Sequence, residues 1–146
     1  KMNEQGVEIP EEWKRYFFRK DGNKKKVVLY NTSLSAFLKE SAQMLRKMEQ
    51  VFETFKRRQE EVALLWRPHP LMEATISSMR PQLWEQYQRI VEMYKREDFG
   101  VYDDSPDMNR ALVLADAYYG DPGSLVVLFH AIKKPIMIQR ASILND

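Results

Sequence analysis

A three-layer α/β/α fold, with about five parallel strands and helices on both faces, is what this sequence predicts. Three observations point there. From Lys26 onward, short apolar runs alternate with longer stretches of helical periodicity. The run Val62-Ala63-Leu64-Leu65-Trp66 has no polar alternation, as a strand covered on both faces should read. Three of the runs also end in small, polar or glycine residues that open onto a helical pattern. These are Asn31-Thr32-Ser33, Arg67-Pro68-His69-Pro70 and Gly120-Asp121-Pro122-Gly123-Ser124. In a parallel sheet the carboxyl ends of the strands share one edge, and ligands bind in the crevice there. Hydroxyls, a histidine and a glycine turn gathered at that edge suit a phosphate-bearing ligand. The pattern is Rossmann-like.

The elements follow in order. Ile9-Pro10-Glu11-Glu12-Trp13 reads as a helix start, with proline early and acids in the first turn, and the helix should run to Lys20 and stop at Asp21-Gly22-Asn23. Its mixed basic and aromatic residues invite a membrane-surface reading; the plainer one is a connecting helix whose aromatics pack on the domain or a neighbour. Residues 1–23 are accordingly set apart as a connecting helix or linker, and 24–146 form the domain. A first strand covers 26–30. A long helix follows, with Leu34, Phe37, Leu38, Leu45, Met48, Phe52 and Phe55 on one face at three-to-four spacing. The second strand is 62–66. Pro81 splits the next helical stretch, so a short helix precedes a new one starting near Arg80, with Leu83, Tyr87, Ile90 and Tyr94 inward. A third strand spans 99–102. Ser105-Pro106-Asp107 supplies an N-cap, a proline and an acid for a brief helix over 108–115. A fourth strand (117–119), a helix (124–132) and a fifth strand (135–138) complete the pattern.

Length and composition bound the function. At 146 residues, 44% hydrophobic and 30% charged, the chain can bury one ordinary core. There is no cysteine, which excludes disulfides and thiolate chemistry. The formal charge of +2 gives no case for a nucleic-acid partner. His69 and His130, the only histidines, lack metal-ligand spacing, so no metal is expected. No Walker loop, GxGxxG or GxSxG elbow is present. A cytoplasmic location fits. Because the sequence opens on Lys1, the expectation is a piece excised from a longer polypeptide.

Several residues are candidates for the ligand edge. A glycine turn entering a helix at Ser124 would offer free backbone N–H groups and the positive end of a helix dipole to an anion. Gly123 would let a phosphate approach closely. The same residues also serve as ordinary turn chemistry. His69, held between two prolines, is either a structural hydrogen-bonding group or a donor to charge building on a leaving phosphate. Arg67 pairs either with phosphate or with Asp103 or Asp104. Thr32 and Ser33 are N-cap residues or phosphate donors. Asp103 and Asp104 are loop and cap residues, with a sugar-hydroxyl contact open to them; Asp121 is a further nucleoside or sugar candidate.

From about Lys25 to Gln139 the sequence resembles the carboxy-terminal half of the CDP-glycerol glycerophosphotransferases, the teichoic-acid polymerase and primase family. Those enzymes have the two-domain glycosyltransferase-B architecture. Lys26-Val27-Val28-Leu29-Tyr30-Asn31-Thr32-Ser33 is similar to the family's opening strand and loop. Leu64-Leu65-Trp66-Arg67-Pro68-His69-Pro70-Leu71 is similar to its Arg-Pro-His-Pro motif, the most specific match. The segment from Ala115 to Ser124 resembles its Asp-Tyr-Ser-Ser segment, and Lys134-Pro135-Ile136-Met137-Ile138 its closing Lys-Pro strand. The resemblance implies a donor-binding domain in which His69 contacts the diphosphate of a CDP-linked donor and Ser124 holds its phosphate. It implies no separate cofactor, an acceptor domain on the amino-terminal side, and peripheral contact with the inner face of the membrane. Gly123 replaces the family's usual first serine, and Leu128 an acid often found in the following helix. A changed donor, such as a UDP-sugar, or a non-catalytic scaffold is the alternative.

Overall fold

In the computed structural model, the residues described are 8–32, 37–39, 42–105, 108–120, 129–131 and 133–138. A 3-10 turn (Glu11–Trp13) leads into α1 (Lys14–Phe17), followed by β1 (Lys26–Thr32) and α2 (Ala42–Arg57). Next come β2 (Val62–Pro68), α3 (Met72–Met79), a 3-10 turn (Pro81–Leu83) and α4 (Trp84–Glu97). The chain continues through β3 (Gly100–Tyr102), α5 (Met108–Leu114), β4 (Ala117–Gly120) and β5 (Ile136–Ile138). All five strands are parallel, in the order β3-β2-β1-β4-β5. This is the doubly wound, Rossmann-like α/β fold that the alternation predicts.

Successive side chains of each strand serve opposite layers. Tyr30, Leu64 and Trp66 face α2, α3 and α4, where Phe52, Trp66 and Tyr94 meet at ring-centroid distances of 4.7–5.1 Å. Val27, Leu29, Ala63, Leu65, Val101 and Tyr118 face the other way, onto Trp13, Phe17, Ala111, Leu114 and Phe129. Burying each large side chain contributes about 1.5–3 kcal/mol, so two filled layers fix the sheet from both sides. The near-continuous apolar reading of β2 follows from that double cover. Gly100 is part of the fit: a Cβ there would lie 2.5 Å from Tyr94 Oη and 2.7 Å from the Leu64 carbonyl.

Three departures from the sequence reading have physical causes. The first helix ends at Phe17 rather than Lys20, because Phe18 turns extended and bridges Lys24 antiparallel across a tight turn. Asp21 Oδ1 accepts from the Asn23 N–H (3.0 Å) and holds that turn. Trp13 and Phe17 are buried, so these two aromatics pack on the domain itself. Strands β1 and β2 each run two residues further than expected, to Thr32 and Pro68. Proline is tolerated there because the ladder bond to Thr32 comes from the His69 N–H (3.2 Å). Lys134, finally, is a cap: its Nζ donates to the carbonyls of Leu112, Val113 and Ala115 at 2.9, 3.0 and 2.6 Å, satisfying the open end of α5.

Among the described residues, no helix is long and apolar enough to cross a membrane.

Candidate functional site

Strand order reverses direction at β1, which has β2 on one side and β4 on the other, so the crevice of an open α/β sheet falls at the carboxyl end of β1. Register puts Asn31 level with both Arg67 and Gly120, and Thr32 level with Pro68. Gly120 is required by that closeness. Its φ is +157°, and a Cβ would lie 2.5 Å from the Asn31 carbonyl oxygen and 2.9 Å from its nitrogen. Asn31 donates from Nδ2 to Tyr118 Oη at 3.2 Å, tying the two strand ends together.

His69 stands at this edge with its side chain exposed. Its carbonyl accepts from the Met72 N–H (2.9 Å) as α3 begins, and its N–H is held by Thr32. The Leu71 N–H donates to His69 Nδ1 at 3.1 Å. With Nδ1 accepting, the proton of the neutral ring sits on Nε2, a donor on the exposed side chain. Flanking prolines and two backbone hydrogen bonds fix the position of the residue, and the bond from the Leu71 N–H selects the tautomer of the ring.

The neighbouring polar residues behave differently. Arg67 is buried, and its Nη1 donates to Asp103 Oδ2 (3.0 Å) and to the Ser105 carbonyl (2.8 Å). Asp103, also buried, further accepts from the Ser105 N–H (3.0 Å) and hydroxyl (2.6 Å), with Arg110 Nη2 3.6 Å from its Oδ1. Of the two alternatives for Arg67, the internal pair is the one formed. Neither Arg67 nor Asp103 reaches the crevice as a phosphate or sugar contact, because burying either charge demands its partner. Thr32 corrects the same way: its side chain is fully buried and its Oγ1 accepts from Trp66 Nε1 at 3.3 Å. The residue borders the site through its backbone only. Asp104 is exposed at the same edge. Ser33, Asp121, Gly123, Ser124 and Leu128 lie outside the described residues.

Tyr102, which closes β3 at this edge, was not among the sequence candidates. Burial, then the negative charges of Glu73 and Asp104, push its phenol up to about 12, so it stays a neutral hydroxyl. A tyrosine ending a short strand carries no motif, and only the topology brings it to the ligand edge. Asn31 had a signal, since it opens the polar cluster after the first strand.

No family model matches this sequence, and no curated protein matches it. A solved structure, an acetylating aldehyde dehydrogenase from Geobacillus thermoglucosidasius, is similar over 76% of this chain at 18% identity and a TM-score of 0.40. The chain spans 23% of that enzyme's length.

Proposed function

We propose that this domain binds the nucleotide-activated donor of a transferase, with a CDP-glycerol-like diphosphate as the ligand class, in teichoic-acid-type polymer synthesis. The observation that carries the reading is His69, exposed at the switch-point edge with its Nε2–H fixed as a donor. An acceptor hydroxyl would form a new bond to the donor phosphorus while the diphosphate P–O bond breaks and a nucleoside monophosphate leaves. His69 would donate to the oxygen on which charge builds. The acceptor's proton would pass to a base in an acceptor domain of the same polypeptide, a cytoplasmic enzyme at the inner face of the membrane. A UDP-sugar donor would use the same edge with a diphosphate leaving group.

Calorimetric titration with CDP-glycerol, CDP and UDP tests the reading. Binding that weakens roughly tenfold or more in His69→Ala is expected, as for loss of a hydrogen bond to a charged group. No heat with any of the three at millimolar concentration would count decisively against it.

A second reading, a non-catalytic scaffold, draws on the internal engagement of Thr32, Arg67 and Asp103, which leaves few exposed polar side chains on the described edge. In a polypeptide that also carries the proposed acceptor domain, transfer activity unchanged by His69→Ala would favour the scaffold; lost activity would favour the enzyme.

A further inference from the structure

A groove of about 960 Å³ lies away from the ligand edge, between α2 and the face of β4 and β5. Its floor is Val28, Ala117, Tyr119 and Met137, and its wall is the flank of α2 with Val51 and Phe55. The helices on this face are α2, α3 and α4, whose buried residues gather around Tyr30, Leu64 and Trp66 of β1 and β2. On β4, Tyr119 stacks on Tyr30 and meets Phe55 of α2, and beyond it on β5 Met137 is 64% exposed. Two strands about 4.8 Å apart present a strip roughly 10 Å wide, the diameter of one α-helix. Residues 46–57 of α2 line the groove, about 17 Å at 1.5 Å per residue, or three helical turns.

The groove also carries a charge without a partner. Lys47 lines it, is only 4% exposed, and makes no hydrogen bond or ion pair among the described residues. Its stem packs in the wall, while its ammonium keeps contact with water at the groove. Of the other charged lining residues, Glu53 and Arg57 approach each other at 3.8 Å, while Arg46 and Glu49 are exposed on the outer rim. Lys47 is the one cation set into the apolar wall.

We infer that this groove docks an amphipathic α-helix of a partner protein, with apolar residues on the strip between Phe55 and Met137 and a carboxylate paired to Lys47. The shape would admit one further helix beside those described in this layer, and a charge-assisted hydrogen bond from Lys47 fixes register and partner choice. Met137 supplies an adaptable apolar contact.

Fluorescence anisotropy with two labelled helical peptides of about 15 residues tests this on the intact chain. Both carry the same apolar stripe; one places Glu beside it and the other Lys. The Glu peptide should bind at least roughly tenfold tighter, Lys47→Glu should reverse the order, and Lys47→Met should equalise the two. Met137→Asp should weaken both while leaving the melting temperature unchanged, because its side chain is exposed. Failure of the Glu peptide to bind at about 100 μM, or equal affinity for both, overturns the proposal. So does self-association in sedimentation equilibrium that Met137→Asp abolishes, which would make the occupant a second copy.

Discussion

Two arginine–aspartate pairs in this domain look alike by distance and differ in everything that matters energetically. Arg67 and Asp103 meet at 3.0 Å with side chains 6% and 1% exposed, under the ligand edge. Arg15 and Asp98 meet at 2.7 Å with side chains 62% and 44% exposed, where α1 is clipped to the end of α4. In the first, each charge has been taken out of water and depends on its partner. In the second, water competes for both ends and salt screens the attraction. A contact distance alone would rank the surface pair first; burial reverses the order. The same contrast separates Arg67 from His69, two residues apart in one motif: the arginine ties β2 to the loop after β3, and the histidine is left exposed at the sheet edge.

The largest test of that contrast is Arg67→Ala. It strands the Asp103 carboxylate in a buried site with only Ser105 and the more distant Arg110 near it. Destabilisation of about 3 kcal/mol is expected, the low end for one partner lost from a buried pair, because Arg110 partly compensates. Urea denaturation measures it. A loss below roughly 1 kcal/mol would mean that the pair is effectively solvated.

Thr32→Val sits in the middle of the scale. It keeps the shape but removes the acceptor for Trp66 Nε1, leaving a buried N–H unpaired, at about 1–2 kcal/mol. Nucleotide affinity should not change, since the backbone carbonyl that positions His69 remains. Weaker nucleotide binding at unchanged stability would restore Thr32 as a ligand contact.

These residues also show what could be read before the coordinates. Periodicity carried the sheet and both helix layers, because Tyr30, Leu64 and Trp66 alternate strictly with Leu29, Ala63 and Leu65 once the strands are paired. The polar strand ends were legible as the carboxyl edge of the sheet, where His69 stands. What could not be read was the direction of each polar side chain there. Thr32 and Arg67 were legible as edge residues, yet their burial depends on Trp66 and Asp103, and Asp103 lies 36 positions along the chain from Arg67. Lys134 looked like part of a strand motif and is a helix cap, since its acceptors lie at the end of α5, about twenty positions earlier.

The smallest expected effect belongs to the surface pair, and its pH dependence gives it a signature. The bidentate Arg15 guanidinium, first, and the Tyr16 hydroxyl hold the Asp98 carboxyl below its ordinary value. A carboxylate depressed in the folded state binds protons more weakly there than when unfolded. Its contribution is therefore fully present above the unfolded value, near pH 4, and fades as pH falls through the folded one. Asp98→Asn keeps a residue suited to the left-handed backbone at this position (φ 61°), so the substitution isolates the charge. Melting temperatures of the two proteins should differ by no more than about 2 °C at neutral pH and low salt, and converge in acid or in 1 M salt. A difference that survived both conditions would mean that the clip works through the geometry of the Arg15–Tyr16–Asp98 cluster rather than its charge, and the contrast with Arg67–Asp103 would then rest on packing.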